Sequence, residues 1–204
     1  GTRCRPASKA IPKEMITVVD KPVIQYVVEE AVAAGIKEIV LVNHSAKRAI
    51  EDHFDVHYEL EHELQRRGKE ELLKVMRSIL PTGVRVISVR QGEALGLGHA
   101  VLCAREVVGD APFVVMLLDV LVDDYYQPAG SQPDLAAMTD AYATSGHAQI
   151  MVEQVPRALV SQYGVVKLAG EAPAAACSRA MSGIVEKPAP EQAPSDLAVV
   201  GRYV

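Results

Sequence analysis

The chain has 204 residues, of which 49% are hydrophobic, and carries a formal net charge of −5 at pH 7. Its size suits one α/β domain, or one domain plus a small appendage. Its mild acidity argues against a general nucleic-acid-binding protein, which would present a broad basic face. No apolar run approaches the ~20 residues that span a bilayer and no secretory signal pattern opens the chain, so no membrane partner is expected.

The first 22 residues form a basic, proline-rich segment with five cationic side chains and three prolines. Gly1 and Thr2 can expose backbone N–H groups, and Arg3, Lys9 and Lys13 can supply positive charge. Such a combination suits a polyphosphate ligand. A solvated basic surface loop is the alternative interpretation.

A helix is predicted directly after Pro22, and a short buried strand follows it at 38–43. Apolar residues recur there at the i, i+3, i+4, i+7 spacing of one helix face, at Ile24, Val27, Val28 and Ala31. Gly35 suits the C-terminal cap. A core that lacks Trp and has only two Phe must be aliphatic, which favours a mostly parallel sheet covered by helices.

Helices and strands continue to alternate along the rest of the chain. Further helices are predicted at 45–54, 57–80, 99–108 and 135–145. Further strands are predicted at 84–89, 112–118, 148–155, 164–168 and 182–186. Ser45 is the expected N-cap of the first of these helices, and Gly68 is a weak point in the charged, solvated second one. The part after residue 120 is richer in strands, as if an antiparallel portion were added to a parallel sheet.

The loop of residues 90–100 follows a strand and opens a helix, where open α/β sheets bind ligands. Gln91 carries both a donor and an acceptor, so it can pair with a nucleobase edge. Gly96 and Gly98 allow the backbone to approach a flat base closely. With Gly92 they do not meet the dinucleotide fingerprint GxGxxG. A flexible loop that caps a helix is the alternative.

Two predicted strands end in charged residues. Asp119 follows the apolar strand at 112–118 and is well placed for a metal that bridges phosphates, with a turn cap as the alternative. Glu186 and Lys187 end the strand at 182–186, and Pro188 restricts the backbone after them. This acid and base can grip a sugar hydroxyl and a phosphate, although a solvated pair is the alternative.

The cysteines and histidines favour neither a disulfide framework nor a zinc site. The three cysteines, Cys4, Cys103 and Cys177, are odd in number and far apart, as expected of a reduced cytoplasmic protein. His53 and His57 have a spacing that zinc ligands use, but no third ligand is obvious.

Many of these residues belong to short motifs that follow one another along the whole chain. The motifs lie at 1–3, 9–15, 18–22, 51–54, 90–92, 96–104, 149–153, 163–166, 185–188 and 200–203. In them the chain resembles the sugar nucleotidyltransferase family, and within it the bacterial UTP–glucose-1-phosphate uridylyltransferases, or UDP-glucose pyrophosphorylases. The resemblance covers nearly the whole chain. It implies a Rossmann-like nucleotidyltransferase fold, with one domain over residues 1–204 and a mixed, mostly parallel sheet flanked by helices.

The resemblance also implies an activity: UTP and glucose 1-phosphate react to give UDP-glucose and pyrophosphate with Mg²⁺. By similarity, the phosphate loop contains Gly1, Thr2 and Arg3, and Arg3 acts in catalysis with Lys13. The positions that line the nucleoside are Glu14, Gln91 and Gly96. Asp119 matches the magnesium ligand. The positions on the sugar-phosphate side are Gly164, Glu186 and Lys187. The family pattern further implies a homo-oligomeric full-length parent.

Two other functions stay open on the sequence. A related nucleotidyltransferase with another base or sugar would carry most of the same motifs. A non-catalytic nucleotide-binding homologue is suggested by Leu118, which replaces a proline of the family pattern, and by the two chain ends. The chain begins inside a motif with no preceding strand and stops just after the apolar run 197–200, so we expect a piece of a longer chain, incomplete at both ends.

Overall fold

The computed structural model describes residues 9–122, 130–170 and 178–204. The chain divides into two units, Gly1–Ala111 and Pro112–Val204. The α/β class is confirmed, since helices accompany a parallel strand pair in the first unit and an antiparallel sheet in the second. Within the described ranges, the helices are too short or too polar to cross a bilayer. One domain over residues 1–204 stays a prediction.

The first unit is built around two parallel strands. In chain order it has a 3-10 turn at Lys13–Met15, β1 (Thr17–Val18), β2 (Lys21–Pro22), α1 (Val23–Ala33), β3 (Glu38–Asn43), a 3-10 turn at Ser45–Lys47, α2 (Arg48–Phe54), α3 (Tyr58–Arg66), α4 (Glu70–Arg77), β4 (Arg85–Arg90), α5 (Leu97–Cys103) and α6 (Arg105–Val108). β3 and β4 pair in register from Glu38 opposite Arg85 to Asn43 opposite Arg90. Because parallel strands end at the same edge, Asn43 and Gln91 lie side by side at the ends of β3 and β4. The backbone N–H of Gln91 donates to the backbone carbonyl of Asn43 at 2.9 Å.

Helix α1 buries the face that its spacing predicts. The buried apolar side chains are Ile24, Val27, Val28 and Ala31. Burying each larger side chain contributes about 1.5–3 kcal/mol relative to exposure. Gly35 follows the helix with φ of +85°, a conformation that favours glycine and ends the helix.

A polar residue, Gln25, is buried on the same helix and satisfies its hydrogen bonds locally. Its Nε2 donates to Glu29 at 2.9 Å, and its Oε1 accepts from His53 Nε2 at 3.0 Å. Burial lowers the pKa of His53 from its ordinary value of 6.5, which favours the neutral ring. His53 therefore ties α2 to α1.

Three helix predictions need correction. The helix expected over 99–108 is two short helices, α5 and α6, which meet at Ala104. The helix expected over 57–80 is two helices, α3 and α4, that break at Gly68, where φ is +67°; the weak point was placed correctly. Ser45 does not cap a helix at 45–54. The His44 side chain accepts from the Ala46 amide at 3.4 Å, and a 3-10 turn precedes α2.

The second unit is an antiparallel sheet around a long central strand. Its elements are β5 (Val115–Met116), α7 (Asp134–Ser145), β6 (Ile150–Gln154), a 3-10 helix at Arg157–Gln162, β7 (Gly164–Leu168), β8 (Met181–Glu186) and β9 (Leu197–Tyr203). The strand order is β5-β9-β7-β8, with β6 also paired to β9. Antiparallel pairing here agrees with the prediction for the part after residue 120. Parallel pairing is confined, among the described strands, to β3 and β4.

The strand predicted at 112–118 is much shorter than its apolar run. Only Val115 and Met116 are in strand conformation, and the chain turns at residues 118–119. The Leu117 amide still donates to the Gly201 carbonyl at 2.9 Å. The apolar composition therefore reflects packing against β9 and not a long strand.

Candidate functional site

The predicted site residues divide between the two units. Those in the first unit are Lys13, Glu14, Gln91 and Gly96, and those in the second are Asp119, Gly164, Glu186 and Lys187. Gly1, Thr2 and Arg3 lie outside the described residues.

Lys13 and Glu14 open a tight 3-10 turn. The Met15 amide donates to the Pro12 carbonyl at 2.9 Å, and the turn places Lys13 at a half-buried position. Glu14 is only 4% exposed, and its Oε1 lies 2.8 Å from Lys47 Nζ. A buried carboxylate is costly without such a partner, so this ion pair fixes the turn that bears Lys13.

The second carboxylate oxygen of Glu14 is buried and has no hydrogen-bond partner among the described residues. An unsatisfied buried acceptor carries a desolvation penalty of about 1–3 kcal/mol. Glu14 thus keeps one unused acceptor beside Lys13, as a residue that lines a polar ligand would.

Asn43 is a positioning residue that the sequence did not reveal. It is 5% exposed at the end of β3. Its Nδ2 donates to the Lys47 carbonyl at 3.0 Å and to Glu51 at 3.3 Å, and its Oδ1 accepts from the His44 amide at 2.9 Å. Asn43 therefore holds the 3-10 turn that brings Lys47 to Glu14.

Gln91 closes the glycine-bearing loop onto the start of α5. Its Nε2 donates to the Gly96 carbonyl at 3.1 Å and lies 3.0 Å from His99 Nδ1. Gly96 has φ of +98°, which explains glycine at this position. The amide nitrogen is thus used within the loop, whereas Gln91 Oε1 has no partner in the described part of the chain.

Glu186 and Lys187 end β8 as an exposed pair. Lys187 Nζ lies 3.1 Å from Glu186 Oε1, and the side chains are 57% and 70% exposed for Lys187 and Glu186. An ion pair this exposed contributes little to stability, so both groups are available to a ligand. Gly164 stands opposite Glu186 in register, and a Cβ on Gly164 would lie 3.2 Å from Glu186 Oε2. Glycine therefore leaves room for that carboxylate.

Asp119 and Glu186 act on the same side chain, Tyr203. Asp119 is exposed at the turn after β5, and Tyr203 is the last residue of β9. Burial, followed by the negative charges of Glu186 and Asp119, raises the pKa of Tyr203 above its ordinary value of 10.0. The two predicted carboxylates thus both act on Tyr203, which the sequence did not single out as a site residue.

The residues around Asp119 suit a cation that keeps most of its own ligands. Among the described residues, no group of three or more His, Cys, Asp or Glu side chains could enclose a metal. Mg²⁺ is usually held by one or two carboxylates together with waters and substrate phosphates. An exposed aspartate at a strand-end turn fits that requirement.

Several expectations are not tested by the described residues. Cys103 is a free, half-buried thiol, but Cys4 and Cys177 lie outside the described ranges. The reduced cytoplasmic location and the homo-oligomeric parent therefore stay predictions.

Comparison with known proteins gives one family. The family model described as nucleotidyl transferase matches residues 1–204. A relative named UTP–glucose-1-phosphate uridylyltransferase from Haemophilus influenzae is 56% identical over 204 residues, covering all of this chain and 69% of the relative. A relative of the same name from Escherichia coli K12 is also 56% identical, with 67% of its length covered.

Solved structures agree with these relatives. A structure titled UDP-glucose pyrophosphorylase from Acinetobacter baumannii superposes with a TM-score of 0.93 at 56% identity, covering all of this chain and 70% of that one. A structure from the same organism titled as UTP-bound has a TM-score of 0.93 at 55% identity and equal coverage. The chain thus spans about two thirds of the length of the proteins it matches.

Proposed function

Because the chain belongs to the nucleotidyl transferase family, we propose that it transfers a uridylyl group from UTP to glucose 1-phosphate in a Mg²⁺-dependent reaction. The products are UDP-glucose and pyrophosphate. The observation that carries this proposal is the 56% identity, over the whole chain, to relatives named for that reaction. The charges of Asp119 and Glu186, which both act on Tyr203 in the second unit, support it.

The reaction asks the protein for positioning and charge neutralisation. A phosphate oxygen of glucose 1-phosphate attacks the α-phosphorus of UTP in line and forms a new P–O bond. The bond from that phosphorus to the bridging oxygen breaks, and its electron pair leaves with pyrophosphate. The attacking oxygen is already anionic, so no general base is needed, and alignment and electrostatics dominate.

In the first unit, we assign the triphosphate to Lys13, with Arg3 as a second cation of the basic segment. The turn anchored by Glu14 and Lys47 holds Lys13 in place. Glu14 also keeps a buried, unused oxygen on this turn. Gly1 and Thr2 supply backbone N–H groups to the same ligand.

The uracil ring is assigned to the loop that Gln91 closes. Uracil presents an N3–H donor between two carbonyls, so it needs an acceptor from the protein. Gln91 Oε1 is such an acceptor, because Nε2 is already used on Gly96 and His99. The backbone at Gly96 can approach the flat base.

In the second unit, Glu186 accepts from sugar hydroxyls and Lys187 binds the sugar phosphate, with Gly164 leaving space beside them. Asp119 would hold Mg²⁺, which when bound neutralises charge on the reacting phosphates. The charges of both carboxylates act on Tyr203 and, with burial, raise its pKa, which favours the protonated hydroxyl. Its neutral hydroxyl can donate a hydrogen bond.

Pyrophosphate release by this chain tests the proposal. UTP, glucose 1-phosphate and Mg²⁺ together should yield pyrophosphate and UDP-glucose, and chelation of the metal should stop the release. Faster release with dTTP or another sugar phosphate would favour a related nucleotidyltransferase. Binding of UTP without pyrophosphate release from any substrate pair would favour a non-catalytic homologue and would contradict the proposal.

We expect Gln91→Ala to relax the preference for UTP over CTP by about tenfold or more, since a lost base hydrogen bond is worth about 1–3 kcal/mol when the partner is left unpaired. The same change removes the bond to Gly96, so the KM for UTP should also rise. Gln132→Ala is a matched control, because its Nε2 donates to Asp140 on the surface of the second unit. An unchanged ratio of kcat/KM for the two nucleotides would remove Gln91 from the base site.

We expect Gly164→Ala to raise the KM for glucose 1-phosphate several-fold while the KM for UTP stays within twofold. The added methyl would lie 3.2 Å from Glu186 Oε2 and would push that carboxylate aside. The side chain is exposed and flexible, so the fold should tolerate the change. Gly183→Ala on the neighbouring strand is the control, because its Cβ would meet nothing within 4 Å. Equal kinetics for the two variants would contradict the sugar assignment.

A further inference from the structure

Arg202 is a charged residue at the centre of the second unit with no exposed surface. It belongs to β9, where its relative exposure is 0%. Burying a guanidinium is strongly unfavourable unless its N–H groups are satisfied. The groups that accept from its N–H atoms are therefore essential to its place in the fold.

Arg202 holds the turn that carries Asp119 from both sides. Its Nη1 donates to the Leu117 carbonyl at 2.8 Å, and its Nη2 donates to the Val120 carbonyl at 3.1 Å. These two carbonyls flank residues 118 and 119. A planar guanidinium with several fixed donors can bridge two acceptors in one rigid arrangement, which an ammonium group does less well.

The neighbouring residue, Gly201, lets the start of the same turn pack closely against β9. Gly201 has φ of +76°, and a Cβ there would lie 2.9 Å from the Leu117 Cβ. The Leu117 amide also donates to the Gly201 carbonyl at 2.9 Å. Backbone contact and the Arg202 bridge thus fix the start of the turn twice.

Asp119 itself has no side-chain hydrogen bond or ion pair among the described residues. The direction of its carboxylate therefore depends on the backbone of its turn. Partners that orient a metal ligand without touching the metal typically change metal affinity by about 10- to 100-fold.

We propose that Arg202 is a positioning residue, which clamps the 117–120 backbone and thereby holds the Asp119 carboxylate in the orientation that binds a divalent cation. This inference rests on the proposed function, in which Asp119 is the metal ligand. Arg202 does not touch substrate in this role. It acts through the turn.

The test compares Arg202→Lys with Arg157→Lys. Arg157, an exposed residue, is the control for loss of the bridge itself, because it also bridges two backbone carbonyls of the second unit, those of Ala193 at 2.7 Å and Ser195 at 3.0 Å. Lysine keeps the charge but loses the planar bridge. Mn²⁺ is titrated alone and followed by electron paramagnetic resonance, and hydrogen exchange of the Leu117 amide is measured in metal-free protein.

Arg202→Lys should raise the Mn²⁺ dissociation constant about tenfold or more and speed exchange at Leu117, whereas Arg157→Lys should change neither. Equal values for the two variants would overturn the inference. Asp119→Asn separates this failure from that of the proposed function. If it leaves Mn²⁺ affinity unchanged, Asp119 is not the ligand, and the metal assignment fails first.

Because a change at a fully buried arginine can prevent folding, circular dichroism is recorded for each variant. Arg202→Gln is the second variant, since it removes the buried charge and keeps one amide donor; it should weaken Mn²⁺ binding as Arg202→Lys does. If neither variant folds, the inference is tested by NMR on the unaltered protein. Its ¹⁵N-arginine spectrum should show slowly exchanging Arg202 Nη protons that shift when Mg²⁺ is added, and no shift would overturn the inference.

Discussion

Lys13→Ala should lower kcat/KM for UDP-glucose formation by about 100- to 1,000-fold, the usual cost of removing one group that stabilises charge developing in the transition state. Negative charge builds on the pyrophosphate as it leaves. The attraction between this charge and an ammonium group beside it is therefore stronger in the transition state than in the ground state. Lys13 is suited to this task because its turn is fixed by the ion pair between the buried Glu14 carboxylate and the half-buried Lys47.

The stability of the fold should change little, because Lys13 is half-buried and alanine fits a 3-10 turn. Lys74→Ala is the matched control, as Lys74 is an exposed lysine within α4. Pyrophosphate release and the thermal midpoint are measured for both variants. If Lys13→Ala retains kcat/KM within threefold of the unaltered chain, the phosphate assignment of Lys13 is wrong.

Glu14→Gln separates the supporting role of Glu14 in the turn from the proposed catalytic role of Lys13. The neutral amide keeps the shape of Glu14 but breaks its ion pair with Lys47. The buried carboxylate position would then lack its charged partner contact to the half-buried Lys47, so this change should lower the thermal midpoint, unlike Lys13→Ala. Comparable midpoints for the two variants would mean that the pair does not anchor the turn.

Periodic segments were predictable from the sequence, because their pattern arises within one element. The apolar face of α1 and the strands β3 and β7 follow from local spacing. The run at 112–118 shows where this reasoning fails. Its composition is that of a strand, yet its bonds to Gly201 and Arg202 turn the chain after Met116. Such partners lie more than 80 residues away in sequence, and no local pattern contains them.

The site shows the same division. Gln91, Asp119 and Glu186 stood out because charged or amide side chains follow predicted strands. Asn43, Tyr203 and Arg202 did not, because each derives its role from a tertiary contact. The charges of Asp119 and Glu186 act on Tyr203, and Asn43 holds the turn that carries Lys47. An asparagine at a strand end is a weak signal that becomes informative only when its partners are known.

Asp119→Asn should abolish most of the metal dependence of the reaction. The amide is nearly the same size as the carboxylate but carries no charge, so Mg²⁺ would lose its protein ligand in the proposed site. We expect the Mg²⁺ concentration for half-maximal rate to rise at least tenfold and kcat to fall about 100-fold, of the order seen when one stabilising group is lost. Asp110→Asn, at an exposed carboxylate of the first unit, is the control.

The pKa of Tyr203 gives a second readout that does not depend on turnover. A nearby negative charge disfavours the phenolate, so Asp119 helps to raise this pKa above 10.0. Removing that charge should move the Tyr203 pKa downward, toward its ordinary value, in a titration of ring-labelled tyrosine by NMR. Asp110→Asn should leave the curve unchanged. An unchanged Tyr203 pKa in Asp119→Asn would mean that the Asp119 charge does not act on Tyr203. The metal site would then have to be sought on other residues.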